Sequence, residues 1–538
     1  MNFTEACDAF IRAACVPVDG SWHRSGTLDE AQAILAAHPE MSGSSIHVAA
    51  ILADNAGVRR FLALDPDAAI APGGPFGWDP LTHLCFSRYL RLAPARSEGF
   101  VRAAAALLDA GASANTGFHS TNHDPPEFES AIYGAAGVVH HPELTRLLLA
   151  CGADPNDSET PYHAPETLDD RALRVLVDSG KVSSDSLTTM LHRKLDWQHY
   201  DGVGWLLNHG ADPNRMSYWG HRALAHALGR TSPLRYFHLL LDHAADPTLP
   251  SADGTLPAAL AARTGRADVL DLFARRGFPV VLTGDDVFLA ACARGDETAA
   301  RGFIVREPAL VGRLQANDST LVADFAGAGN TDGVRLLLDI GLDLDSRTSR
   351  GGTNADPALH VAVWRGRLEM VKLLVARGAP LEVTNGWGAT PLSLAVRALV
   401  EQSDWTPHTS PKIVRPFCWT LAPAWTRSNR SLRAHQRRTR FYASMAAPAE
   451  VSARVRLRHL LCHAPSNRVG QINPKERTSP SGQTATRRTA QPWSGIVSIA
   501  DPWVSNRAAD PVQCAAPVRG EQCHARMAPN NARRLSTI

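Results

Sequence analysis

Leu107-Leu108-Asp109-Ala110-Gly111-Ala112-Ser113-Ala114-Asn115 is the stretch whose reading settles the fold. The phrase returns as Leu148-Leu149-Ala150-Cys151-Gly152-Ala153-Asp154-Pro155-Asn156, as Leu206-Leu207-Asn208-His209-Gly210-Ala211-Asp212-Pro213-Asn214, and as Leu373-Leu374-Val375-Ala376-Arg377-Gly378-Ala379. Each copy reads as the end of a helix. The leucine pair faces a neighbouring helix, the glycine supplies the left-handed residue that stops the helix, and Asp-Pro-Asn cannot continue it. Such recurrence means a stack of units, because one unit cannot bury its apolar face alone.

Upstream of each phrase lies a second, shorter apolar helix. Asp356-Pro357-Ala358-Leu359-His360-Val361-Ala362-Val363 and Ala389-Thr390-Pro391-Leu392-Ser393-Leu394-Ala395 show it best. Asp or Thr caps it, and Pro occupies the first turn, where a missing N–H costs nothing. The pattern resembles the ankyrin repeat, Gly-x-Thr-Pro-Leu-His, Ala-Ala, Gly, then Leu-Leu-x-x-Gly-Ala-Asp-x-Asn. The clearest copy spans 357–391, where Pro357, Leu359, His360, Ala362, Gly366, Val371, Leu373, Leu374, Gly378, Thr390 and Pro391 fall in place. Weaker copies cover 45–65, 79–116, 128–157, 184–215, 221–248, 255–278, 286–307 and 319–345. The segment 28–37 reads as the second half of an N-terminal cap and 168–178 as an unpaired half-repeat.

This resemblance implies an all-α ankyrin-repeat solenoid over residues 1–415, built from about nine to ten helix pairs with hairpin-like finger loops. It implies structural roles for Gly111, Gly152, Gly210, Gly378, Thr390 and Pro391, and for His360 as a hydrogen bond between neighbouring repeats. The fingers and inner helices would form a concave binding surface.

Composition bounds the function class. No apolar run approaches the ~18 residues of a membrane helix. The opening Met1-Asn2-Phe3-Thr4-Glu5-Ala6-Cys7-Asp8 has no basic segment followed by an apolar one, so no secretory signal is expected. Nine cysteines lack framework spacing, which suits a reducing, cytoplasmic setting. The net charge of +2 conceals an asymmetry: residues 416–538 carry 19 Lys+Arg against 5 Asp+Glu, and 1–415 carry 36 against 48. Such asymmetry marks a nucleic-acid arm or a disordered extension.

The repeat pattern stops in mid-repeat at Arg415. Pro416-Phe417-Cys418-Trp419-Thr420-Leu421-Ala422-Pro423-Ala424-Trp425-Thr426 stands where a leucine phrase belongs. Joining the last base of each codon to the first two of the next recovers one. Phe417-Cys418 and Cys418-Trp419 must both yield leucine, and Trp419-Thr420 and Trp425-Thr426 must both yield aspartate. The junctions between them permit Ala, Gly, Ala, Ser and Leu, which restores the phrase in register. The expectation is therefore that 416–538 is a disordered Arg/Pro/Ala-rich tail produced by out-of-frame translation.

No Gly-Lys-Ser/Thr phosphate loop, His-Glu-x-x-His or Gly-x-Ser-x-Gly elbow is present, so no enzyme, cofactor or metal is expected. Cys462-His463 and Cys523-His524 are isolated pairs, whereas structural zinc needs four ligands at compact spacing. Cys151, with His140 and His141 nearby, sits in a helix-ending turn. The informative side chains are aromatic. Trp78, Phe118, Tyr218, Trp219 and Trp387 fall in the inter-repeat connections, and Trp364 and Arg365 end an inner helix. Aromatic residues dominate interface hot spots, although packing between adjacent fingers would also account for them. Long connections at 117–127, 157–167, 343–356 and 401–411 give this scaffold its own shape. The expected function is a monomeric, non-enzymatic scaffold that binds a protein partner on its concave face. Two alternatives are binding of nucleic acid or another anionic partner by the basic tail, and a host-targeted effector whose repeats supply targeting. The tail lacks aromatic spacing for base stacking, so nucleic acid is not the expected partner.

Overall fold

Each recurring phrase closes a helix, as its chemistry requires. Gly111, Gly152, Gly210 and Gly378 take φ values of 101°, 95°, 93° and 89°, the left-handed region that ends a helix without a Cβ penalty. Leu107, Leu148, Leu206 and Leu374 are fully buried. The aspartate then folds the chain back on itself: Asp154 Oδ1 accepts from Asn156 N–H at 3.0 Å, and Asp212 Oδ1 from Asn214 N–H at 2.8 Å.

The asparagine reaches forward to the next unit. Asn115 donates to the Gly152 carbonyl (3.0 Å) and accepts from Asp154 N–H (2.8 Å). Asn156 does the same to Lys181 and Ser183, at 2.9 and 2.7 Å, and Asn214 to Ala244 and Asp246, both at 2.8 Å. A residue read as part of a helix stop is thus also a staple between units.

The computed structural model describes residues 2–18, 23–120, 126–317, 320–347, 356–386 and 388–395. The expectations for the tail at 416–538, the connection 401–411 and Trp387 lie outside these residues. Within them a cap, Phe3–Ala14 and Asp29–Ala37, precedes ten pairs of inner and outer helices. Repeats 1 to 5 are Ile46–Ile51 with Asn55–Leu64, Pro80–Cys85 with Ser97–Asp109, Ala131–Tyr133 with Pro142–Ala150, Glu159–His163 with Arg171–Asp178, and Ser184–Asp196 with Tyr200–Asn208. Repeats 6 to 10 are Ala223–Gly229 with Leu234–Asp242, Pro257–Arg263 with Ala267–Arg275, Asp285–Ala293 with Glu297–Arg306, Leu321–Ala328 with Thr331–Asp339, and Ala358–Trp364 with Leu368–Ala376. Residues 391–395 begin another inner helix, with Thr390 Oγ1 accepting from Ser393 N–H and Pro391 in the first turn.

Three local readings change. The segment 168–178 is not an unpaired half: Glu159–His163 forms its inner helix within the stretch read as a long connection. Thr160-Pro161-Tyr162-His163 nucleates it, and Pro165 follows two residues later, so it stays short. The connection at 117–127 is partly a hairpin, Gly117–Ser120 antiparallel to Glu127–Ser130 with Phe118 opposite Glu129. Two helices not foreseen, Arg88–Leu92 and Leu310–Asn317, join the stack. No helix among the described residues is long and apolar enough to cross a membrane.

In one unit an alanine stands where the phrase has its left-handed glycine. In His243-Ala244-Ala245-Asp246, Ala244 occupies the left-handed position at φ 61°. An L-residue pays about 1–2 kcal/mol there, offset in part by the greater unfolded-state freedom of glycine. Ala244→Gly is therefore expected to stabilise the chain by about 0.5–1 kcal/mol, read as an upward shift of the urea midpoint at unchanged slope.

Candidate partner-binding face

The inner helices and fingers carry a nearly unbroken run of rings. His47 in repeat 1 meets His83 in repeat 2 at 5.4 Å, and His83 faces Trp78 at 5.2 Å. Trp78 stacks on Phe76 (4.6 Å) and on Phe118 of the next finger (4.2 Å). Phe118 meets Phe86 at 5.0 Å, Phe86 meets Tyr133 at 6.0 Å, and Tyr133 meets His163 at 5.3 Å. From there Tyr162 leads to Trp219 at 6.1 Å, which faces His192 and His226.

Position along this run separates the expected residues. Trp78 and Phe118 are only 6% and 9% exposed, so their rings hold adjacent fingers together and offer little to a partner. Tyr218 is 58% exposed and lies 4.0 Å from Trp219, itself half-buried. Trp364 packs half-buried against the core. Burial, then the neighbouring Arg230 and Arg367, hold the Arg365 guanidinium down to about 10. Over repeats 3 and 4 the chain covers itself: His23 Nδ1 lies 3.0 Å from the Tyr133 hydroxyl, and Arg24 Nη1 donates to the Glu166 carbonyl at 3.1 Å. The exposed ring of the run is therefore Tyr218, flanked by half-buried Trp219 and Tyr162 on repeats 4 to 6.

Beneath these rings lies a buried ionic layer. Arg193 bridges Glu166 and Asp196 and places its guanidinium 3.9 Å from the centre of the Tyr162 ring. Asp196 also receives His226 at 2.6 Å and Arg230 at 2.5 Å. His163 sits between Glu166 (3.0 Å) and Glu159 (3.1 Å). Burial alone would raise the two acids, but the surrounding cations overcome it. Glu166 is held down to about 2 by His163 and Arg193, and Asp196 far below the carboxylate range by Arg230, His226 and Arg193. Burial likewise disfavours charged His163, yet Glu166 and Glu159 hold it up to about 10. Glu166, Asp196 and His163 are thus charged at neutral pH, and with Arg193 they anchor the rings above.

A family description, ankyrin repeats in many copies, matches residues 337–395. Those residues contain the Ala358–Trp364 and Leu368–Ala376 pair, whose form recurs through the stack. The chain is an ankyrin repeat protein. Among curated proteins it is 35% identical over 72 residues to serine/threonine-protein kinase 12 of Arabidopsis thaliana, covering 13% of this chain. It spans only 15% of that kinase's length. Among solved structures it is similar to the ankyrin repeat domain of Bcl-3, at 20% identity and a TM-score of 0.20, covering 42% of this chain and 96% of that one.

In ankyrin terms, His360 and His47 play one part. Each is held by its Nε2 at 2.8 Å from a carbonyl of the following connection, Ala389 and Ala71. Sequence reasoning missed Tyr162, His163 and the ionic layer, although Thr160-Pro161-Tyr162-His163 carried the Thr-Pro-x-His signal. Cys151 and His141, near in sequence, do not form a catalytic pair. His141 caps the helix Pro142–Ala150 at its start and Cys151 ends it, about 15 Å away. Among the described residues no group of three or more His, Cys, Asp or Glu is placed to hold a metal.

Proposed function

We propose that this ankyrin repeat protein is a non-enzymatic, monomeric, cytoplasmic scaffold that binds a protein partner on the concave face of repeats 4 to 6. The observation that carries the reading is Tyr218, exposed beside half-buried Trp219 and Tyr162, above an ionic layer that fixes its support. Rigid aromatic rings on a braced surface are the composition of interface hot spots. The ionised groups beneath are locked in mutual pairs, which suits bracing better than proton transfer. The five free cysteines among the described residues fit a reducing compartment.

The test is affinity capture from cytosolic extract with the full chain, comparing wild type with Tyr218→Ala, Trp219→Ala and Trp387→Ala. A hot-spot loss of about 2 kcal/mol weakens capture roughly 30-fold. Tyr218→Ala is decisive, because its ring is exposed and its loss leaves the core intact. Unchanged recovery of the same proteins by Tyr218→Ala would overturn the reading. Loss of all capture on deleting 416–538 would assign binding to the basic tail instead.

A further inference from the structure

The turns between inner and outer helices end in two ways. In repeats 1, 8 and 9 an acceptor caps the outer helix: Asp54 takes the Gly57 N–H, Asp296 that of Ala299, and Asn330 that of Gly333. Helices Leu234–Asp242, Ala267–Arg275 and Leu368–Ala376 begin instead on Pro233, Arg266 and Arg367, with no side-chain cap. Their first-turn N–H groups keep their partial positive charge, and an arginine at that end opposes the helix macrodipole.

These three uncapped ends gather around one cleft of about 330 Å³, lined by Thr231, Ser232, Arg266, Asp268, Asn330 and Arg367 among others. Repeat 9 creates it by packing inward on repeat 7, so that turns distant in sequence meet. Asn330 Nδ2 donates to the carbonyls of Gly265 and Ala293, both at 2.7 Å. Arg266 is fixed in place: its fork holds Asp268 with two contacts of 2.8 Å, and Nη1 donates to the Ser232 carbonyl at 2.7 Å.

The remaining donors are unused. Ser232 is fully buried, and neither its hydroxyl nor that of Thr231 has a hydrogen-bond partner among the described residues. Arg367 lies along Gly329 with its Nε likewise unpartnered. Thr231 is held in the left-handed region at φ 51°, a costly place for a β-branched residue. Orphaned buried hydroxyls, an unpartnered guanidinium Nε and bare helix ends around one cleft form a set of donors without an acceptor.

We propose that this cleft is an oxyanion site that takes a phosphoryl group, as inorganic phosphate or as the phosphate ester of a small molecule. Phosphate suits it because donors approach from several directions: Arg367, the two hydroxyls, and the first-turn amides at Leu234 and Ala267. Asp268 is engaged by Arg266, so the charge of Arg367 is the one offered to the ligand. The volume is at the lower end for ligand pockets, near ~300 Å³, enough for the phosphate and a small organic body.

The experiment is calorimetric titration and thermal unfolding of the full chain with inorganic phosphate and with glucose 6-phosphate, against sodium chloride at matched ionic strength. Saturable binding is expected for at least one phosphate probe, with an upward shift in Tm that chloride does not reproduce. Tighter binding of the ester assigns a phosphorylated small molecule, and equal or weaker binding assigns inorganic phosphate. Arg367→Gln should weaken binding at least about tenfold. Ser232→Ala should weaken it about threefold or more, without lowering the Tm of the unliganded chain. Arg59→Gln, on the exposed face of Asn55–Leu64, should leave binding unchanged. Absence of saturable binding to either probe would overturn the proposal, as would undiminished affinity in both Arg367→Gln and Ser232→Ala.

Discussion

Asp196→Ala should destabilise the folded chain by about 3–5 kcal/mol, because it leaves the Arg193 and Arg230 guanidiniums without their common anion. Arg193, His226 and Arg230 converge on this carboxylate, which is nine-tenths buried. Arg193 keeps Glu166, but Arg230 and His226 lose the anion that draws them together. The size follows from breaking the network on one side only. Replacing the whole set by well-packed apolar groups would cost far less, since buried ion pairs contribute little beyond offsetting their own desolvation. A urea-unfolding comparison at neutral pH measures it, and a loss below about 1 kcal/mol would show the network to be solvated.

The same layer sets a pH window. Glu166 falls from an ordinary value near ~4.3 to about 2 on folding, so its contribution is present above ~4.3 and is lost as pH drops toward 2. His163 rises from 6.5 to about 10, so its contribution is complete below ~6.5 and is lost as pH climbs through 10. Asp196 adds to the acid arm alone. The deficit of the Asp196→Ala variant should therefore narrow as the wild type is acidified and its own Asp196 takes up a proton.

The fold was legible because its evidence is local. A leucine pair, a left-handed glycine and an Asx turn lie within nine residues of one another, and each acts through its own backbone. Legibility fails where the local signal is replaced. Ala53, His140, Gln198 and Thr231 take φ values of 61°, 55°, 48° and 51° at inner-to-outer turns where other repeats have glycine, which blurs those copies. The short helix Glu159–His163 hid inside a presumed connection because Pro165 cuts it before an apolar period can show.

The candidate site was half legible. Aromatics in the connections stood out, but whether each faces a partner or its neighbour depends on contacts between repeats. Trp78 meets Phe118 across forty positions, and Arg193 meets Glu166 across twenty-seven. Charged residues spread at those intervals read as surface until the repeats stack. The cleft at Arg367 was not legible at all, since it forms only when repeat 9 reaches repeat 7.

That long-range packing carries the second large effect. Phe325 is fully buried, and its ring lies so close to two glycines that a Cβ on Gly265 would sit 2.7 Å from it and one on Gly333 2.8 Å. The ring thus joins the turn of repeat 7 to both helices of repeat 9. Phe325→Ala should cost about 3–5 kcal/mol, combining lost burial with a cavity bounded by backbone that cannot collapse. Gly265→Ala approaches the contact from the other side. Its φ of 72° penalises any side chain, and the added methyl strikes the ring, so about 2–4 kcal/mol is expected. If the two residues act through one contact, the double variant should lose about 1 kcal/mol or more less than the sum, since the methyl then enters the space the ring vacates. Strict additivity in that cycle would mean repeats 7 and 9 do not meet at Phe325, and the cleft between them would lose its wall.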